Sequence, residues 1–323
     1  MQTPLPRGVF TLSLNFELAW GSRDLVDDAS GLERMSVITR ESVFEPLIAL
    51  FERHGLVGTW ATVGHLFLDR AERVDGRLHP DHPRPAHTWR PDWLAGVPAG
   101  DERTAPAWVG RSLVERLRDA GQEIGSHAFT HVIFGDPGCS EAVADAELAR
   151  CVREAEALGI PLRSFVFPRN EPGHLHLLRK HGFTSWRGHE AAWWRRPGLP
   201  RPLMRGGHMV DVVTGRRAPP AVPTRGPDGL WNLPASCVFS PVDGARRFIP
   251  MRQRVRRAVT GIDAAARRRG LCHLYIHPIN FATDPPRMLR GLDAVLRHAA
   301  ELRDQGQLEL LSMGALAERL DAA

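Results

Sequence analysis

Glu123-Ile124-Gly125-Ser126-His127-Ala128-Phe129-Thr130-His131 reads as a short strand that runs straight into two histidines four residues apart. If the chain turns helically just past the strand, both rings lie on one face and their nitrogens can converge on one metal ion. Two unrelated surface or capping histidines would give the same letters. Position favours the metal, because parallel α/β folds build their sites at the C-terminal ends of strands.

The flanking sequence repeats that plan. Residues 9–16 (VFTLSLNF) alternate apolar and polar side chains and predict a first strand. Further strands are expected at 57–63, 163–167, 183–186, 271–276 and 308–311. Helical spacing of apolar residues predicts helices at 41–53, 109–119, 141–158, 175–180, 254–269, 288–303 and 314–320. Gly55, Gly121 and Gly159 stand where the first three of these should stop. Strand and helix alternate throughout, which predicts an α/β fold with a mostly parallel sheet or barrel. Two stretches break the alternation, 69–108 (rich in Pro, His, Arg and Trp) and 188–235 (rich in Arg, Pro and Gly). They are expected to be functional insertions in a single domain spanning 1–323.

Composition narrows the function. With 323 residues, 43% hydrophobic and 24% charged, the chain can build a sizeable core and is not globally disordered. No apolar run approaches the roughly eighteen residues of a membrane span. The N-terminus has no apolar signal-peptide core, so a soluble cytoplasmic protein is expected. A net charge of +5 raises nucleic acid as a partner. Against it, the arginines are scattered and are not interleaved with aromatics, so no nucleic-acid partner is expected. Cys139, Cys151, Cys237 and Cys272 form no C-x-x-C pair and are expected to be buried free thiols. Oligomeric state is not legible.

Other strand ends carry chemistry as well. Glu17 closes the first strand in Leu14-Asn15-Phe16-Glu17, and a carboxylate there would complete a site of two histidines and one acid. Arg169, in Phe167-Pro168-Arg169-Asn170, could orient a catalytic carboxylate or an anionic intermediate. His277 follows an apolar strand in Leu274-Tyr275-Ile276-His277-Pro278, where a general acid could stand. Each has an ordinary surface or structural alternative; four such strand ends together are hard to ascribe to chance.

Taken together, these segments resemble the polysaccharide deacetylases, the carbohydrate esterases of family four. SLNFELAWG (13–21) stands where that family has its acidic first motif, and LVGTWATVGHLF (56–67) resembles its second strand and helix. EIGSHAFTH (123–131) matches the metal motif, SFVFPRN (164–170) the arginine-proline motif, and LYIHP (274–278) the leucine-histidine motif. The resemblance implies a distorted (β/α) barrel with long inserted loops. It also implies a divalent metal, usually zinc, held by Glu17, His127 and His131. The implied reaction is hydrolysis of an N-acetyl amide, or occasionally an ester, on a carbohydrate or glycoconjugate, with His277 protonating the leaving amine. Trp20, Asn170 and Trp186 are expected at the substrate, and Trp89, Trp93, Trp108, Trp193 and Trp194 either stack on sugar rings or pack beneath the loops.

One departure matters. The family's first motif pairs a basic carboxylate with a metal-binding one, and here Asn15 occupies the base position. An amide cannot accept the proton. Another carboxylate such as Asp24 or Glu123 could substitute, Glu17 could be base rather than ligand, or hydrolysis could be lost. The family's aspartate partner for the acid histidine also has no clean counterpart; Trp186-Arg187 stands near its expected place. The leading expectation is a metal-dependent N-deacetylase. The competing expectations are a catalytically silent sugar-binding relative and a C–N hydrolase of a non-sugar amide.

Overall fold

A computed structural model describes residues 5–23, 29–190, 199–214 and 220–322. Its first half contains β1 (Gly8–Phe16), α1 (Ala29–Ile38), α2 (Glu45–His54), β2 (Thr59–Thr62) and the short strands β3 (Arg70–Ala71), β4 (Arg73–Val74), β5 (Arg77–Leu78) and β6 (Gly100–Asp101). Then follow α3 (Arg111–Asp119), β7 (Glu123–Ser126), α4 (Glu141–Glu156), β8 (Ser164–Phe165), α5 (Leu175–Lys180) and β9 (Ser185–Trp186). The rest comprises α6 (Arg201–Thr214), β10 (Thr224–Arg225), β11 (Trp231–Asn232), β12 (Cys237–Val238), α7 (Met251–Arg268), β13 (Leu271–Ile276), α8 (Pro285–Asp304), β14 (Leu308–Leu310) and α9 (Met313–Asp321).

β1 is buried along its whole length, although it carries the polar residues Thr11, Ser13 and Asn15. Its two faces explain this. Phe10, Leu12, Leu14 and Phe16 join the main core shared with the helices, while Thr11, Ser13 and Asn15 lie on the opposite face. β1 pairs in parallel with β13 on one side and with β2 on the other, and β14 shares the second edge at the strand's start. The order β9-β8-β7-β2-β1-β13 is parallel throughout.

One segment then joins both edges. β11 lies beside β9 and β12 lies beside β13. Between them Leu233 donates to the Trp186 carbonyl and Ser236 to the His273 carbonyl. The sheet thus closes as a distorted (β/α) barrel. α9 blocks the N-terminal mouth, with Met313, Leu316 and Leu320 packed against Val9, Trp231 and Leu271. The strands' C-terminal ends form the other mouth.

Most predicted elements appear within a few residues, and Gly55 ends α2 in the left-handed conformation (φ 62°). The predicted helix at 41–53 is the end of a longer run, in which a π-helical turn, Thr39–Phe44, joins α1 to α2. Residues 188–235 are less irregular than the sequence suggested, since they contain α6 and three short strands. In 69–108, β3 pairs with β6 and β4 with β5, and Trp93, Val97, Ala105 and Trp108 are buried. The four cysteines are free and buried. No helix among the described residues is long and apolar enough to cross a membrane.

Candidate functional site

Glu17 is the first residue past β1, at the start of a tight turn in which Leu18 takes φ 47°. His127 directly follows β7, and His277 directly follows β13. Their side chains meet at Glu17 Oε1, which lies 2.8 Å from His127 Nε2, 3.7 Å from His131 Nε2 and 4.0 Å from His277 Nε2. Glu17, His127 and His131 can offer ligand atoms that all lie within 4.8 Å of one another. All three are buried; the His277 side chain keeps 27% of its exposure.

The two histidines do not converge through a helical turn, as the spacing suggested. Residues 127–133 form a loop in which Ala128 and His131 both adopt φ 62°, and the rings meet edge to face at 4.9 Å. Left-handed backbone, rather than helix, returns the second ring to the first.

The donor set fits a cation. His127 Nδ1 lies 2.6 Å from the Val166 carbonyl, an acceptor only, so this nitrogen carries the proton. Burial pushes the His127 imidazole down to about 4, which leaves Nε2 bare at neutral pH. Although burial opposes its ionisation, the Glu17 carboxyl is held well below its usual range among the three imidazoles. Two lone pairs therefore face each other across 2.8 Å. That contact is repulsive unless positive charge lies against both, and the Asn15 amide, 3.0 Å from one and 3.1 Å from the other, supplies only the partial charge of a single NH2 group. His131 Nδ1 and His277 Nδ1 are buried without a hydrogen-bond partner among the described residues.

Asn15 is fixed in one orientation. Its Oδ1 accepts from Arg187 Nη1 at 2.8 Å, so its amide nitrogen must face the site, 3.0 Å from Glu17 Oε1 and 3.1 Å from His127 Nε2. Asn15 is thus a donor towards the site. Arg187 also donates to Ser13 Oγ and to Asn170 Oδ1, and its guanidinium lies 4.5 Å over the Tyr275 ring. Burial lowers its pKa to about 10, and it stays charged at neutral pH. The sequence offered Arg169 as the orienting arginine. The guanidinium on Asn15 belongs instead to Arg187; Arg169 is half-buried at φ 58°, and its charge opposes protonation of His277.

Other expected residues divide. Trp20 is not at the mouth: it is fully buried, donates to the Trp108 carbonyl and packs edge-on against the Trp108 ring. Asn170 accepts from Arg187, and Trp186 is half-buried against Phe167. Trp93 and Trp108 pack as core, whereas Trp89 is 47% exposed. Trp193, Trp194 and Asp24 lie outside the described residues. Glu123 begins β7, at the opposite end from His127, and is bound to Thr59, Ser164 and the Gly314 amide. It is no substitute base. Two roles were missed from sequence. A Cβ on Gly21 would lie 1.5 Å from Glu17 Oε2, so this glycine makes room for the carboxylate. Arg187 was marked only as standing near the place of a missing aspartate; its bond to Asn15 had no local signal, because its partners Ser13 and Asn15 are distant in the chain.

No protein-family model and no curated protein sequence matches the chain. Solved structures do. A protein from Mycobacterium smegmatis described as a polysaccharide deacetylase is similar at TM-score 0.61 and 15% identity, covering 100% of this chain and 96% of its own. Another from Pseudomonas aeruginosa PAO1, described likewise, gives 0.58 and 11%, with 96% and 89% covered. The Puue allantoinase gives 0.59 and 12%, with 98% and 90% covered. These are likenesses of architecture, and with the strand order and the strand-end motifs they place this chain in the NodB-type fold, the distorted (β/α) barrel of the polysaccharide deacetylases.

Proposed function

We propose that the chain is a metal-dependent hydrolase that removes an N-acetyl group from a sugar or glycoconjugate precursor, with 69–108 and 188–235 as insertions in one domain around the site. The observation that carries this reading is the pair of facing lone pairs on Glu17 Oε1 and His127 Nε2 at the C-terminal mouth. Glu17, His127 and His131 would hold a divalent ion there; zinc suits a set of two imidazoles and one carboxylate. Bound in that position, such an ion supplies Lewis acidity, polarising an acyl carbonyl and acidifying a water.

The side chains divide the remaining work. Asn15, locked by Arg187, presents its NH2 group to the site: it donates to Glu17 Oε1, and its contact with His127 Nε2 would give way to the ion, since that nitrogen has a single lone pair. It moves no proton. His277 is a further imidazole within 4.0 Å of Glu17, and burial is the main cause keeping its ring neutral at rest. A neutral ring can take a proton from the attacking water and then deliver it to the leaving amine nitrogen, filling both the base and the acid role. Asn170 and the half-buried Trp186 stand near enough to Arg187 and Phe167 to shape the rim against a sugar.

Acetate release from a panel of N-acetylated amino sugars under saturating zinc tests this function. Release that disappears on chelation and returns with zinc supports it; no release from any member removes the sugar deacetylase reading. A second reading, a C–N hydrolase of a non-sugar amide, draws support from the likeness to an allantoinase, an enzyme named for a substrate that is not a polysaccharide. Zinc binding without acetate release, together with turnover of small amides, would favour it.

A further inference from the structure

We infer that Glu147, on α4, is a positioning residue for the loop that carries His127 and His131, and that residues 69–108 brace that loop rather than cover substrate. The inference rests on the metal site proposed above. Non-glycine residues at positive φ are unfavourable and persist only where surrounding contacts over-determine them. The loop has two, Ala128 and His131, the second of them one of the histidines.

Four polar backbone groups around them are held from outside. Gly64 N–H donates to the Ala128 carbonyl at 2.8 Å, and His65 N–H to the Phe129 carbonyl at 2.9 Å. A Cβ on Gly64 would lie 3.0 Å from Phe129 Cα and closer still to Cys151 Sγ, so the backbones can approach only because this residue is glycine. Thr130 is the hub. Its N–H donates to Glu147 Oε2 at 2.7 Å, its hydroxyl to Glu147 Oε1 at 2.6 Å, and its carbonyl accepts from Trp93 Nε1 at 2.9 Å.

Glu147 is fully buried, and a buried carboxylate is costly unless its oxygens are satisfied. Here Thr130 and, at 2.8 Å from Oε1, His82 Nε2 satisfy them. His82 and Trp93 both come from the first insertion. Among these bonds none reaches Glu17, His127 Nε2 or His131 Nε2, so Glu147 acts on the site only through the backbone that aims the histidines.

Cobalt(II) serves as the probe, because its visible absorption reports ligand geometry and its titration gives a Kd without any turnover. Glu147→Gln keeps the side chain's shape but replaces one acceptor oxygen by a donor. We expect cobalt to bind about tenfold more weakly or worse, with an altered absorption band, as is typical when support around a ligand is removed. Thr130→Val removes the hydroxyl alone and should shift both readouts the same way by less. Glu123→Gln is the control, a carboxylate bonded to three groups at the far end of β7. It should lower the unfolding midpoint and leave cobalt affinity unchanged. Should Glu147→Gln not fold, Thr130→Val decides alone. Wild-type affinity and spectrum in every variant that folds overturn the inference and spare the metal reading. Absence of cobalt binding by the wild type sinks both.

Discussion

Asn15 holds an amide where the resembling family holds a base, yet the barrel provides it with the counter-ion a base would use. Arg187 Nη1 stands 2.8 Å from Oδ1. A carboxylate at that position would pair with this buried guanidinium, so Asn15→Asp should fold normally and raise acetate release, on the order of 10²-fold if it restores a general base. Robust wild-type turnover that the substitution abolishes would show that the proton is handled elsewhere. His277→Ala separates proton transfer from metal binding: turnover should fall by about 10² to 10⁴-fold with zinc content unchanged. Gly21→Ala tests the carboxylate's seat, since the added Cβ would fall 1.5 Å from Glu17 Oε2. Zinc stoichiometry by elemental analysis should then drop towards that of His127→Ala and His131→Ala, with the far-ultraviolet circular dichroism retained. Full zinc in all three would remove the site.

Among the elements, the segment from β11 to β12 invites a separate test, because it joins β9 at one edge of the sheet to β13 at the other. Its return towards α7 is tied by Arg254, a buried guanidinium that donates to the carbonyls of Ser240, Pro241, Arg246 and Ile249. Arg254→Met keeps the aliphatic stem and leaves those carbonyls without their charged donor. At roughly 1.5–3 kcal/mol for hydrogen bonds to a charged group, a loss of about 3 kcal/mol in unfolding free energy is expected from urea titration. A change within experimental error would mean that the seam is held by sheet pairing alone. α6 illustrates the opposite limit of sequence reading. Its adjacent Gly206 and Gly207 weaken helix propensity, so the stretch looked irregular, yet the chain is helical from Arg201 to Thr214.

At the scale of the entire chain, burial of neutral histidines sets an acid limit on stability. Burial, the largest cause in each, lowers His65 and His273 from 6.5 to about 3, and both are fully buried. Below pH 6.5 the unfolded chain takes up protons that the folded chain refuses, so stability is complete above that pH and falls as pH drops towards 3. Each histidine should contribute a slope of about 1.4 kcal/mol per pH unit within that window. Urea unfolding between neutral pH and about pH 4 measures it, and replacing His65 and His273 together by glutamine should flatten the slope. The strands, most helices and the placement of Glu17, His127 and His277 at strand ends were legible because they follow from short-range rules: period-two and period-3.6 apolar spacing, glycine stops, and a histidine pair close in the chain. Whether Trp20 faced substrate or core, whether Glu123 could reach the water, and which arginine would bind Asn15 were not. Those depend on which side chains from distant strands share the inside of one closed barrel. Arg187 meets Asn15 across 172 residues and Glu147 meets Thr130 across 17, and no local pattern encodes either pairing. Burial and long-range hydrogen bonding are properties of the closed sheet, because only closure brings the polar faces of its strands together and removes water from between them.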